Sequence, residues 1–227
     1  MQRCFDIIFS AIALALLSPF LLPLMLLLRV TGEGEIFFPQ DRVGRGGKDF
    51  KLYKFATMLK DSPKMGTGTV TVKNDPRVLP VGVFLRKTKI NELPQLINIF
   101  KGDMSVIGPR PQTQRCFDAF PELAQNDISK VRPGLSGIGS VVFRSEEDMM
   151  HANANPDRLY NDVIMLYKGK LESWYVRNNS VWNYLLLIFL TILVMLTGST
   201  RLIFRCFTSL PRPPKNLSSF IASDYYE

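Results

Sequence analysis

Residues 85–111 read LRKTKINELPQLINIFKGDMSVIGPRP, and the rest of the chain takes its meaning from this stretch. It opens on Arg86, Lys87 and Lys89 and passes one carboxylate, Glu92. It then enters an apolar segment in which Leu93, Leu96, Ile97, Ile99 and Phe100 recur at helical spacing. Pro94 suits the first turn of a helix, where its missing N–H costs little. Asn91 and Glu92 are therefore expected at a helix N-terminus, where backbone N–H groups and the dipole favour an anion. After a turn at Lys101-Gly102-Asp103 the stretch closes on Gly108-Pro109-Arg110-Pro111, a rigid turn carrying one cation. Arg86 and Arg110 would close on one anion from either side. Two readings stand on spacing alone: a phosphate site beside a carboxylate, or a capped surface helix with solvated charges.

The chain around it has 227 residues, enough for one domain and accessories. Its apolar residues are concentrated in two blocks near the ends, which leaves an ordinary soluble mixture between them. A net charge of +8 suits nucleic acid, an anionic membrane surface or a phosphorylated substrate. The apolar blocks favour the membrane, and no zinc-finger spacing or RNA-binding aromatic signature is present, so no nucleic-acid partner is expected. A basic membrane-tethered nucleic-acid binder is the distant rival, and it would show steeply salt-dependent binding. Cys4, Cys116 and Cys206 are far apart and odd in number, which suggests neither a disulfide framework nor a metal cluster and fits a reducing cytoplasm. His151 stands alone, so Ser-His-Asp and Cys-His catalysis are ruled out. It reads as a surface residue.

Ile7 to Leu28 is an apolar run of roughly 22 residues between Arg3 and Arg29, long enough to cross a bilayer core. It is too long for a signal peptide, and no small-residue cleavage site follows. Ser18-Pro19 lies mid-run, with Pro23 one turn on. Proline removes a backbone hydrogen bond and bends a helix, and the Ser18 hydroxyl can satisfy the carbonyl so freed. Two half-helices entering and leaving by one face would place both flanking cations at an anionic leaflet. A kinked spanning helix is the alternative.

Short strands are expected at Ile36–Phe38 and Phe50–Phe55, with Lys54 alternating with its aromatic neighbours. Between them Gln40 to Lys48 is basic and glycine-rich. Such a loop can bring N–H groups near a phosphate, but it lacks the P-loop and dinucleotide signatures, and a solvated hairpin turn explains it as well. Residues 60–74 read as a mobile loop, Asp75-Pro76-Arg77 as a turn and 114–128 as helical. Lys130 to Gly139 is a second Gly/Pro-rich loop, Val141–Phe143 a short strand and 145–167 a polar helical insertion. The second apolar block, Val181 to Leu196, has roughly 16 residues, short for a span, and is expected to lie in the interface or cover the domain. The tail beyond it reads as flexible.

Together these motifs resemble the bacterial sugar transferases, the monotopic phosphoglycosyl transferases that act on polyprenyl phosphate. The resemblance rests on six features in order: the Ser18-Pro19 break, Arg42-Val43-Gly44 with Lys54-Phe55-Ala56-Thr57-Met58, Arg86 to Gln95, Lys101 to Ser105, Gly108 to Pro111, and Arg132 to Gly137. It implies transfer of a sugar 1-phosphate from a UDP-sugar to undecaprenyl phosphate, with release of UMP, at the cytoplasmic face of the bacterial inner membrane. It also implies a magnesium ion and an Asp-Glu pair whose aspartate forms a covalent phosphosugar enzyme. Two anionic substrates at an anionic site call for a hard cation and Arg/Lys clamps.

By this resemblance Glu92 is the pair's glutamate, holding magnesium or serving as base. Lys54 and Arg86 support it. Arg110, with Pro111 and Arg42, grips the nucleotide or its phosphates. Glu172 and Asp103 are additional acids near the site, although turn capping explains Asp103 equally well. The nucleophile's position is held by Asn91, a neutral amide that no environment makes a carboxylate. Glu92 or another carboxylate takes over the nucleophile's role, the lipid phosphate attacks directly, or the chain is a catalytically impaired or non-catalytic homologue binding nucleotide sugar or a pathway partner. Ala56 stands where arginine is common.

The expected fold class is α/β, mostly helical with a few short strands. The expected organisation is a re-entrant membrane helix over 1–30, a cytoplasmic domain over 31–180, an interfacial or membrane helix over 181–205 and a flexible tail over 206–227. Membrane lipids are expected partners, and a homodimer is compatible with this organisation. Nothing in the residues names the sugar.

Overall fold

A computed structural model of the chain describes residues 1–65, 75–144, 146–151, 156–214, 216–217 and 221. Residues 66–74 of the expected mobile loop and the side chain of His151 lie outside what is described. Helices dominate and the strands are few and short. The chain forms two compact units, one of residues 4–41 and 50–102, the other of residues 1–3, 42–49 and 103–227.

The first unit begins with α1 (Gln2–Val30), 29 residues long. Pro19 has no N–H to give the Ala15 carbonyl one turn back. The Ser18 hydroxyl donates to that carbonyl oxygen instead, at 2.8 Å, so the helix runs on through the expected break. Replacing Ser18 by alanine leaves the carbonyl without a partner at an expected cost of about 1 kcal/mol. Thermal unfolding in detergent checks this, with a midpoint lower by roughly 2–4 °C.

The last turns of α1 place Leu21, Leu24 and Leu28 against Phe55 and Leu85, with Ile36, Phe37, Val81, Ile90 and Leu93 packed around them. The opposite face leaves Phe20, Leu22, Leu26 and Leu27 exposed. Strands β1 (Phe37–Val43) and β2 (Asp49–Phe55) pair with each other, and Phe37 stacks on Phe55 at 5.7 Å. Both strands are longer than the apolar residues alone suggest, because Gly44 N–H donates to Lys48 O and closes a tight turn between them. Helices α2 (Pro80–Lys87) and α3 (Gln95–Lys101) follow, separated by a 3-10 turn at Ile90–Glu92. Asn91 and Glu92 thus precede α3 in a turn of their own and are not in its first turn, a correction to the helix N-terminus expected for them.

The second unit is organised on α9 (Met165–Arg177), which packs on α5 (Glu122–Ile128) and α6 (Ile138–Val142). Before α5 come β3 (Ser105–Ile107) and α4 (Gln114–Asp118), and after it β4 (Gly134–Ser136). Strand β3 pairs parallel with β4, Ser105 opposite Gly134 and Ile107 opposite Ser136. The strand expected at Val141–Phe143 is instead the end of α6. Ile138, Val141 and Val142 have helical spacing and are all buried, so packing overrides the β-branched composition. Helices α7 (Glu146–His151) and α8 (Pro156–Leu159) lead through a π turn at Tyr160–Ile164 into α9.

Helix α10 (Val181–Thr197) buries Tyr184, Leu187, Leu190 and Val194, and packs on β3 and α6. Trp182, Phe189, Ile192, Met195 and Leu196 stay exposed. The chain then enters α11 (Arg201–Cys206). The segment beyond Cys206, expected to be flexible, has Phe207, Leu210, Leu217 and Ile221 buried. Tyr167 Oη donates to Pro211 O at 2.7 Å, a further tie the sequence pattern did not reveal.

Candidate active site

In the first unit the structure brings Lys54, Asn91 and Glu92 together. Lys54 lies on β2 between Tyr53 and Phe55, and the burial of Phe55 turns Lys54 to the other face. Its Nζ stands 3.9 Å from Glu92 Oε1, with side-chain exposures of 20% and 16%. Both groups are therefore half-sheltered yet reachable. Asn98, fully buried on α3, fixes this approach. Its Oδ1 accepts Tyr53 N–H at 2.9 Å and its Nδ2 donates to Lys51 O at 2.8 Å. One amide side chain thus does the work of a neighbouring strand and holds β2 in register with α3. Asn91 is buried, and its Oδ1 has no hydrogen-bond partner. A buried acceptor left open is costly and marks a place where a donor or cation would be welcome. Arg86 sits half-buried in the last turn of α2. Elsewhere in this unit Arg77 and Asp75 form a buried pair at 2.6 Å, with Arg77 also donating to Ser62 O and Met65 O. These bonds pin the turn that the Asp-Pro-Arg sequence announced.

The second unit holds Arg42, Arg110, Pro111, Glu172 and Asp103. Val43 N–H donates to Gln112 O at 3.0 Å, which sets the strand carrying Arg42 beside the loop carrying Arg110 and Pro111. A small cleft there is lined by Val43, Gly44, Pro109, Arg110, Gln112 and Pro133, among others. Asp103 is half-buried and lies two residues before β3 in sequence. Glu172 is 2% exposed. Burial pushes its carboxyl up to about 8, against the pull of Lys168 and of the backbone N–H groups of Arg110 and Gly139. Lys168, one turn earlier on α9, is equally buried and pairs with Glu146 at 2.8 Å. Sequence reading missed this Lys168–Glu146 pair. No local spacing signals it, because the two residues are 22 apart in sequence and meet only through the packing of the fold.

The elevated Glu172 has a consequence for stability. In the unfolded chain the carboxyl titrates near 4.5 and in the fold near 8, so the folded state holds more protons across that window. Stability therefore falls as pH rises from about 4.5 to about 8. Glutamine at 172 removes this contribution. Scanning fluorimetry between pH 5 and 8 should show a flatter midpoint for Glu172→Gln than for wild type.

The three cysteines are free thiols. Among the described residues no group of three His, Cys, Asp or Glu side chains is placed to hold a metal.

The model of the bacterial sugar transferase family matches residues 1–198. The chain is 37% identical over 201 residues to the UDP-N-acetylgalactosamine-undecaprenyl-phosphate N-acetylgalactosaminephosphotransferase of Aeromonas hydrophila, covering 87% of this chain and 44% of that protein. It is 36% identical over 196 residues to the UDP-glucose:undecaprenyl-phosphate glucose-1-phosphate transferase of Klebsiella pneumoniae, covering 84% and 39%. Against the exopolysaccharide production protein ExoY of Rhizobium meliloti it is 33% identical over 205 residues, covering 84% and 83%. The chain thus spans less than half the length of the first two relatives and most of the third. The match takes in α1, the turn bearing Asn91 and Glu92, the Arg110 loop and α9, and by it the chain belongs to the bacterial sugar transferase family.

Proposed function

We propose that the chain transfers a sugar 1-phosphate from a UDP-sugar to undecaprenyl phosphate and releases UMP, initiating glycan assembly at the cytoplasmic face of the bacterial inner membrane. The family match over residues 1–198, which takes in Lys54, Glu92 and Arg110, carries this reading. The names of the Aeromonas and Klebsiella relatives support the donor and acceptor classes.

In the reaction an oxyanion bonds to the donor's β-phosphorus. The bond from that phosphorus to the bridging oxygen breaks, and UMP leaves with the electron pair. Asn91 cannot be that oxyanion. Either Glu92 or the lipid phosphate supplies it, and Lys54 offers a cation to the phosphate oxygens that approach Glu92. A magnesium ion would add charge neutralisation and alignment of the phosphates. The residues fit one: Glu92 is a hard oxygen donor, and the unpartnered Asn91 Oδ1 is a second. Magnesium commonly takes one or two protein oxygens and leaves the rest to phosphate and water.

In this proposal helix α1, continuous from Gln2 to Val30, bends at Pro19 and Pro23 so that both of its ends lie at one face of the bilayer. Support comes from Pro19 and Pro23 within it, from Arg3 and Arg29 at its ends, and from its second half. That half buries one face on the domain core and exposes an apolar face, as an interfacial segment does. The exposed apolar side chains of α10 support an interfacial position for that helix too. Cys4, exposed at the start of α1, will react with a membrane-impermeant thiol reagent in inverted vesicles and stay unlabelled in right-side-out vesicles; the opposite pattern contradicts this course.

Phosphorus label at the β-position of a UDP-sugar tests the reaction. With the full chain in nanodiscs, magnesium and undecaprenyl phosphate, label will pass into the lipid-extractable phase. Label that stays in water across a broad panel of UDP-sugars contradicts the proposal. Exchange of labelled UMP into UDP-sugar without lipid marks a covalent step on the enzyme, and its absence marks direct transfer.

A further inference from the structure

On one side the loop carrying Arg110 is held by close backbone-to-backbone contacts. A Cβ on Gly134 would lie 2.1 Å from Gly108 N, and one on Gly137 would lie 2.1 Å from Gly108 O. Gly108 N–H donates to Ser136 O at 2.9 Å, and Gly134 N–H donates to Pro109 O at 2.8 Å. Two glycine-rich segments therefore lie backbone to backbone. Such a cradle has few side chains of its own with which to fix direction, and glycine is the residue with most freedom to lose.

Beneath it lies Glu172, projecting from the rigid helix α9. Its carboxyl accepts the backbone N–H of Arg110 from one segment and that of Gly139 from the other. The fit is close: a Cβ on Gly139 would meet Glu172 Oε1 at 2.3 Å. Oε2 is buried without a hydrogen-bond partner, so the carboxyl is aimed at the cradle and not out to water. Lys168, one turn earlier on the same helix, is already engaged by Glu146 Oε2 at 2.8 Å and lies 5.4 Å over the Phe143 ring. The carboxyl thus faces the backbone of the Arg110 loop and of the first turn of α6.

We propose that Glu172 is a positioning residue for Arg110: one buried carboxyl, anchored on α9, clamps the Gly108–Pro111 loop to the first turn of α6 at Gly139 and so fixes where the Arg110 guanidinium is presented to a uridine nucleotide. This rests on the transferase reading for the nucleotide and goes beyond it in assigning Glu172 a role through Arg110 rather than in the chemistry.

UDP affinity of the full chain in nanodiscs, measured by calorimetry, tests it. Glu172→Ala is expected to weaken UDP binding about tenfold, the scale of losing one well-made hydrogen-bonded contact. Glu172→Gln, which keeps an acceptor oxygen, is expected to lose less. In an Arg110→Ala background Glu172→Ala should cause no further loss, because interacting residues are non-additive. Gly139→Ala, which pushes the carboxyl off its seat without touching Arg110, should weaken binding as Glu172→Ala does, and it carries the test if Glu172→Ala fails to fold. Unchanged affinity in the folded variants, or losses that add in full to that of Arg110→Ala, would overturn the assignment. A wild type that binds no UDP would instead remove the transferase reading, and the assignment with it.

Discussion

Glutamine at position 92 will reduce UMP release about a thousandfold while leaving the fold near wild type. The size follows from removing a single charged group that acts on the reacting phosphates, typically worth two to three orders of magnitude in turnover. Glutamine keeps the shape and one oxygen acceptor but cannot carry the charge that binds a cation or accepts a proton. The structural penalty is small. Glu92 and Lys54 are 3.9 Å apart and partly exposed, and ion pairs of that kind contribute about 0–1 kcal/mol. Steady-state UMP release beside a thermal melt separates the two effects. A drop of only a few-fold in a well-folded Glu92→Gln protein would place Glu92 outside the chemistry.

Alanine at position 134 will act through the fold. Its Cβ would lie 2.1 Å from Gly108 N, 2.4 Å from Ser136 O and 2.5 Å from Gly108 O. All three are backbone atoms held by the β3–β4 pairing, so no flexible side chain can yield. Overpacking of a well-fitted interior typically costs 1–3 kcal/mol, and backbone against backbone belongs at the top of that range: about 3 kcal/mol. For a chain of this size that is a fall in unfolding midpoint on the order of 10 °C. The Arg110 loop shares those contacts, so UDP affinity should fall as well. A Gly134→Ala protein with wild-type midpoint would show that β3 and β4 are not packed in this register.

Much of this was legible in the sequence, for reasons that differ by element. The run from Ile7 to Leu28 announced α1 because an unbroken apolar segment of that length has few other uses. The serine before Pro19 announced how the freed carbonyl is satisfied. The order of motifs from Arg42 to Gly137 carried the family, and the match over residues 1–198 bears it out. Other features depend on contacts that local pattern does not record. Val141–Phe143 looks like a strand by composition, yet Ile138, Val141 and Val142 share a helical face buried against α9 and α10. Glu172 reads as one more acid on a helix. Its burial and its two backbone donors come from segments far away in sequence, Arg110 and Gly139. The same holds for Asn98, whose amide ties α3 to β2, and for the open Asn91 Oδ1.

Asn91 concentrates the functional question, since by the family resemblance this amide stands where the nucleophilic aspartate is expected, and in the proposed reaction another oxyanion must take that part. The decisive measurement is UMP release by the purified full chain with magnesium, undecaprenyl phosphate and a panel of UDP-sugars, run for wild type, Asn91→Asp and Glu92→Gln. Turnover by wild type that is lost in Glu92→Gln is the predicted result, and it means an enzyme that works without the usual aspartate. Silence in wild type that persists in Asn91→Asp across the whole panel would contradict it, and would leave a protein that binds its ligands without turning them over.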